Sequence, residues 1–231
     1  MDIYTLQLEN FLTFLLFIIG IIIVGYAQIK INVTYSKYKK IENTKKISGS
    51  EVAREILKAN GLDNIYVVET RGELTDHYDP TRKVIKLSSD IFHGKTIAAM
   101  AVAAHECGHA IQDKENYTFM RIRHMLVPIV NLVSYIGYFS ILIGLLAGLT
   151  GYLLAGIITL SATIIFQLVT LPVEFDASKR ARKQILKLNL DNDDTGIRSM
   201  LSAAAFTYVA SLISTMLNLL RLIIMFNKRD E

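Results

Sequence analysis

The 231-residue sequence is poor in cysteine and in charge. Its one cysteine, Cys107, cannot form an intramolecular disulfide, and nothing in the thiol content points to an oxidising compartment. Asp, Glu, Lys and Arg make up only 20% of the chain, against 52% hydrophobic residues. That much apolar surface excludes a disordered polymer. Charge is also missing in one long block: residues 125–173 are 49 positions without Lys, Arg, Asp, Glu or His. A membrane-crossing helix needs about 20 such residues, so this block reads as two crossings joined by a tight turn. A wholly soluble domain does not accommodate it.

Other absences narrow the class. No Lys or Arg precedes the first apolar run, residues 11–27, and no small-x-small cleavage site follows it. A cleaved signal peptide is thereby excluded and a membrane anchor remains. The formal net charge is +4, yet no nucleic-acid motif or aromatic–basic repeat accompanies it, so a nucleic-acid partner is not expected. The basic residues read instead as cytoplasmic and facing anionic lipid. Lys30, Lys37, Lys39, Lys40, Lys45 and Lys46 follow the first span, whereas Asp2 and Glu9 precede it. This asymmetry places the N-terminus outside and residue 30 onward in the cytoplasm.

What is present divides into five segments. Residues 1–29 are an N-terminal membrane anchor, 30–124 a cytoplasmic α+β segment and 125–172 a transmembrane hairpin. Residues 173–198 read as a cytoplasmic helix, and 199–231 as a last span with its tail. In the α+β segment, Ser48 and Glu51 have capping-box spacing and start a helix ending at Asn60-Gly61. Residues 65–68 and 84–87 read as short strands separated by the turn former Asp79-Pro80-Thr81-Arg82. From Lys95 the apolar residues recur at helical spacing, with a break near 113–116. The hairpin spans lie near 126–147 and 152–171, turning at 148–151. Gly20/Gly25 and Gly144/Gly148 read as places of close helix packing. Residues 191–196 read as a solvated loop, and 199–220 as the fourth span, with Arg221 snorkelling toward the interface.

Chemistry concentrates at His105-Glu106-Cys107-Gly108-His109. On a helix, positions i and i+4 share a face, so both imidazoles can meet one metal ion. Glu106 is rotated by about 100° and can reach a water held by that ion. Zinc lowers the pKa of bound water to about 7, and Glu106 takes the proton. Two histidines and one carboxylate form a hydrolytic zinc set, so a third ligand is required. Two crossings separate His109 from Glu174. The number is even, so the chain is back on its starting side whichever way it is oriented. Pro172 suits a first helical turn, which puts Glu174 at the start of a cytoplasmic helix as the candidate ligand. In the alternative, Glu174 and Asp176 only complement the helix dipole, with Asp176 pairing Arg180. Cys107 is assigned no redox role. His77 either orients a substrate chain or is an exposed turn residue, and His124 reads as interfacial. Tyr208 either donates to a tetrahedral oxyanion or is a buried hydroxyl with its own partner.

These residues carry a resemblance. The His105–His109 motif, Leu171-Pro-Val-Glu-Phe-Asp-Ala-Ser178, Ala203-Ala-Ala-Phe-Thr-Tyr-Val-Ala210 and Leu74-Thr-Asp-His-Tyr-Asp-Pro80 resemble the YugP-type neutral zinc metallopeptidases of bacterial membranes. The likeness extends over most of the chain. More distantly, the chain is similar to the HtpX-type membrane gluzincins, in which a Glu ligand is followed four residues later by an Asp that supports a ligand His. Glu174 matches the ligand position. Ser178 stands where that Asp falls, so either Asp176 or Ser178 takes the supporting part. The expectation is an α-helical integral membrane protein of about four spans with a small α+β zincin-like catalytic segment. It is a zinc metalloendopeptidase of the cell membrane, with His105, His109 and Glu174 holding Zn²⁺ and Glu106 catalytic. Its site faces the cytoplasm, and its partners are the lipid bilayer and membrane-associated or misfolded protein substrates.

Two other readings follow from the same residues. A scaffold or adaptor retaining a structural zinc closes all four metal positions with protein and has no use for Glu106. Intramembrane proteolysis requires the histidines inside the bilayer, but the nine residues 96–104 between Lys95 and His105 are too few to span it.

Overall fold

The computed structural model describes residues 3–73, 75–148 and 150–230. Leu74 of the quoted 74–80 motif, Leu149 of the hairpin turn and Asp2 of the charge asymmetry lie outside them, as do Met1 and Glu231. In chain order the elements are α1 (Ile3–Tyr38), α2 (Gly49–Ala59), β1 (Tyr66–Thr70), β2 (His77–Asp79), β3 (Val84–Ser88) and α3 (Ser89–His93). Then come α4 (Ile97–Lys114), α5 (Thr118–Ala147), α6 (Thr150–Lys187) and α7 (Asp194–Asp230). The chain forms two units: one of Met1–Gln28, Ile122–Thr170 and Thr207–Glu231, the other of Ile29–Arg121 and Leu171–Phe206.

The first unit is built from the apolar parts of α1, α5, α6 and α7, four helices long and apolar enough to cross a membrane. The hairpin of α5 and α6 packs through glycines. A Cβ on Gly137 would fall 2.2 Å from the Thr159 side chain, and one on Gly156 would fall 2.3 Å from that of Ile141. Of the glycines singled out in the sequence, Gly20 does approach Ser214, at 3.2 Å, but Gly25 and Gly148 face open space. Gly148 is a turn residue instead: its φ of +67° ends α5 in the left-handed conformation that glycine adopts without strain.

The second unit is an α+β body around α4. The capping box on α2 is complete, with the Ser48 hydroxyl accepting from Glu51 N–H and the Glu51 carboxylate from Ser48 N–H. Such a cap contributes about 1 kcal/mol. Packing contributes far more. Ile56, Ile85, Leu87, Ile91, Ile97 and Met100 are fully buried, and each such side chain is worth roughly 1.5–3 kcal/mol. Helix α4 starts at Thr96, whose hydroxyl accepts from Ala99 N–H. It is buried nearly all round, and its alanines let its neighbours approach closely.

The sheet is richer than the sequence suggests. The expected strands are present as β1 and β3, which pair in parallel with Tyr66 opposite Val84. Between them in sequence lies β2, which pairs antiparallel with β3 and forms the other edge. It is only three residues long, too short for a periodic signal, and it contains His77.

Three expectations are corrected. Glu174 does not open a separate helix: α6 runs unbroken from Thr150 to Lys187 with Pro172 inside it. A proline there removes one N–H from the helix ladder, which long apolar helices tolerate. Nor do residues 173–198 form one helix, since α6 ends at Lys187 and α7 begins at Asp194. The 191–196 segment is not simply solvated either. Asp191 is buried, and its carboxylate accepts from Thr44 N–H at 2.7 Å, the Thr44 hydroxyl at 2.9 Å and Asp193 N–H at 2.7 Å.

Candidate metal centre

Helix α4 places His105 and His109 on one face, their ring centroids 4.8 Å apart and nearly perpendicular. Helix α6 brings Glu174 against them. The Glu174 Oε2 lies 3.3 Å from His105 Nε2 and 3.7 Å from His109 Nε2. One ligand atom from each of the three residues lies within 4.8 Å of the others. Glu174 is 2% exposed, so this carboxylate is not a surface charge that happens to be near.

The close approach of α4 and α6 depends on Gly108. A Cβ at that position would sit 2.5 Å from the Ala177 carbonyl oxygen, inside any permitted contact. The second variable position of the motif is therefore glycine because the backbone of α6 occupies the space. Cys107, on the opposite face, is buried with its thiol against the Ala53 carbonyl, a packing position consistent with no redox role.

Each histidine has a second contact that aims its ring. His105 Nδ1 meets the Ser178 hydroxyl at 3.3 Å. His109 Nδ1 meets Gln112 Oε1 at 3.0 Å. Gln112 is fully buried, and its Nε2 donates to Val173 O at 2.8 Å and to Asp176 Oδ2 at 2.9 Å. Asp176 in turn accepts from Arg180, as its spacing suggests, and Arg180 also donates to Glu115 at 2.6 Å. Both candidates for the supporting part are thus in place by different routes, Ser178 directly on His105 and Asp176 through Gln112 on His109.

This network bears on whether a cation fits. Both N–H groups of Gln112 are spent, so its oxygen faces His109 Nδ1 and accepts a hydrogen bond from the Nδ1–H. In the neutral imidazole the lone pair is then on Nε2, pointing at the Glu174 carboxylate. Two electron-rich atoms 3.7 Å apart in a buried place are unfavourable unless a proton or a metal cation lies between them. Two imidazole nitrogens with one carboxylate oxygen suit zinc.

Glu106 is beside this cluster and faces β2. It is 7% exposed, and burial pushes its carboxyl up to about 7, the Glu174 charge adding to the effect and the His105 ring and Tyr78 backbone opposing it. Strand β2 is tied to the end of β3 on one side and to α4 on the other. Asp76 accepts from Ser88 N–H at 2.7 Å, and the Tyr78 hydroxyl donates to Asp113 at 2.8 Å. Burial raises the Asp76 carboxyl above its ordinary value despite the Ser88 hydrogen bonds.

The remaining candidates are placed elsewhere. His77 is exposed on β2 with Nδ1 against Thr75 O at 2.8 Å. His124 is an exposed residue of α5, and Tyr208 lines a cavity of the apolar unit with Gln167. Gln112 and Gly108 were not singled out as functional from the sequence. The signal for Gln112 is an amide three residues beyond His109, one turn along the same face of α4, a polar group that burial obliges to find partners.

The class to which this arrangement points is that of the zinc metallopeptidases. The chain belongs to one of its families, described as "putative neutral zinc metallopeptidase", whose profile matches residues 13–227. Among curated proteins it is similar to the "Putative membrane protease YugP" of Bacillus subtilis (strain 168). The two are 44% identical over 209 residues, covering 89% of this chain and 93% of that protein. No solved structure matches the chain.

Proposed function

We propose that the chain is a multi-pass membrane endopeptidase in which Glu106 is the general base and His105, His109 and Glu174 hold zinc. Zinc held there supplies a Lewis acid for the scissile carbonyl and acidifies water. Glu106 accepts the proton of the attacking water and returns it to the departing amine. His105 and His109 keep their rings aimed through Ser178 and Gln112, and Glu174 completes the donor set from α6.

The observation that carries this reading is the number of ligands. Three side chains converge among the described residues, which leaves a position open, with a buried carboxylate next to it. A structural site would close all four positions, which weighs against a scaffold that merely retains zinc. The lysines after the first apolar run support a cytoplasmic site, and the even number of crossings between His109 and Glu174 supports one side for all three ligands. A site served by a membrane-anchored chain suits membrane-associated or misfolded proteins as substrates.

The test is Glu106→Gln. Purified protein with zinc should cleave an unfolded model substrate, and the variant should lose on the order of 10²- to 10⁴-fold in kcat while keeping its zinc. A variant that cleaves like the wild type removes Glu106 from the mechanism.

A further inference from the structure

The apolar unit carries two charges that the proposed hydrolysis does not use, Glu9 on α1 and Arg221 on α7. The two helices pack antiparallel. Gly20 approaches Ser214, and the Arg221 guanidinium lies over the Phe17 ring, 4.8 Å from its centroid. The start of α1 and the end of α7 are thereby at the same end of the bundle. Ionisable groups in membrane-crossing helices are costly and normally find a partner in the protein. Here they do not: among the described residues, neither Arg221 nor Glu9 has an ion-pair partner.

A cavity of about 360 Å³ joins the two charges, lined also by Phe14, Phe17, Ile224 and Met225. That is within the size range of ordinary ligand pockets. Arg221 and Glu9 are both only half-buried. Glu9 Oε2 is enclosed and unpartnered, so a donor reaches this carboxylate at Oε1. The lining has an order. The crossing helices begin at Gln7 in α1 and end at Asn227 in α7, so Glu9 lies about 3 Å and Arg221 about 9 Å inward from those ends. Passing inward, the cavity offers a carboxylate and then a guanidinium, with aromatic and aliphatic side chains alongside.

A phospholipid whose headgroup carries a primary ammonium has the complementary order: ammonium outermost, phosphate beneath it, acyl chains deepest. We infer that this cavity binds such a headgroup, with its phosphate on Arg221 and its ammonium on Glu9. The planar guanidinium fork matches phosphate oxygens bidentately, and the carboxylate accepts from the ammonium N–H groups. A quaternary choline headgroup has no N–H to donate, and a glycerol headgroup brings no cation. Phe14 and Phe17 are exposed on α1 and available to the first methylenes of the chains. The inference rests on the membrane reading of these four helices and is independent of the hydrolysis.

The experiment is native mass spectrometry of the full chain in detergent, with equal amounts of phosphatidylethanolamine, phosphatidylcholine and phosphatidylglycerol bearing the same acyl chains. One phosphatidylethanolamine is expected to bind per chain, about tenfold tighter than the other two. Glu9→Gln should abolish its advantage over phosphatidylcholine, and Arg221→Gln should weaken all three about tenfold. Arg221→Lys keeps the charge but loses the fork, and its weaker binding gives the same readout should the glutamine variant fail to fold. Free phosphoethanolamine at equal concentration should not displace the lipid; if it does, the occupant is a soluble compound and the inference falls. Equal binding of phosphatidylethanolamine and phosphatidylcholine, a preference that survives at Glu9→Gln, or undiminished binding at Arg221→Gln also overturns it. A chain that keeps the preference but cleaves no substrate loses the peptidase reading and retains this site.

Discussion

His105 and His109 are one helical turn apart and face the same carboxylate, yet they are held differently. His109 is backed by a buried amide whose two donors are committed to Val173 and Asp176, with Arg180 and Glu115 behind it. His105 is backed by the single hydroxyl of Ser178 at 3.3 Å, and its side chain is 17% exposed against 10% for His109. A hydroxyl rotates to suit its neighbour, whereas a double-anchored amide cannot. The orientation of His109 is thus a property of the packed core, while that of His105 rests on one adjustable contact. Substitutions on the His109 side should therefore cost more.

The largest effect is expected from the group that both sides share. Glu174→Ala removes the proposed third ligand and leaves two imidazoles in a buried site. Its loss of zinc affinity should exceed the roughly 10- to 100-fold typical of residues that only support a ligand. Elemental analysis after dialysis against a weak chelator reads this directly, and unchanged zinc would take Glu174 out of the set.

Next comes the spacing between the two helices. In an exposed helix, Gly→Ala gains up to about 1 kcal/mol. At Gly108 the sign reverses, because the new Cβ meets the Ala177 carbonyl at 2.5 Å and backbone cannot rotate away. Overpacking of this kind costs about 1–3 kcal/mol. Gly108→Ala should lower the thermal midpoint and weaken zinc together, by shifting Glu174 from both rings. A stabilised variant with normal zinc would show that the approach of α4 and α6 is not tight.

Gln112→Leu tests the His109 side alone. It keeps the volume but leaves the His109 Nδ1–H and the Val173 carbonyl without their buried partner. Zinc affinity is expected to fall about 10- to 100-fold by chelator competition. Glu174 and the helix spacing are untouched, so a loss as large as that of Glu174→Ala would mean that Gln112 holds more of the fold than this network.

How far the sequence revealed this site follows from the range of each interaction. The two histidines and Glu106 lie within one turn of a single helix, and a local motif exposes them. Glu174 is 69 residues from His105, but counting membrane crossings narrows the search to the acids that follow the hairpin. Gln112 and Gly108 acquire their meaning only from Asp176, Val173 and Ala177 on α6, and no local pattern encodes that contact. Strand β2 has no local signal because three residues cannot display alternation, and what fixes it is the long-range pairing with β3. Pro172 misled for the opposite reason. The local preference of proline for helix starts is overridden here, because a long apolar helix carries Pro172 internally. The burial of Asp191 is likewise tertiary, since its partner Thr44 is 147 residues away.

The smallest effect is expected on the other side of the comparison. Ser178→Ala removes the one hydroxyl on His105, but the ring keeps its place on α4, and with 17% of that side chain exposed a water is expected to replace the hydroxyl. The loss in zinc affinity should be below about tenfold, the lower end for supporting residues. Ser178→Asp sharpens the point, because a carboxylate there makes a charge-assisted bond to the ring and should tighten zinc relative to the alanine variant. The ranking matters more than either value. If Ser178→Ala and Gln112→Leu weaken zinc equally, the two imidazoles are held alike, and the committed amide behind His109 gives no advantage over a rotating hydroxyl.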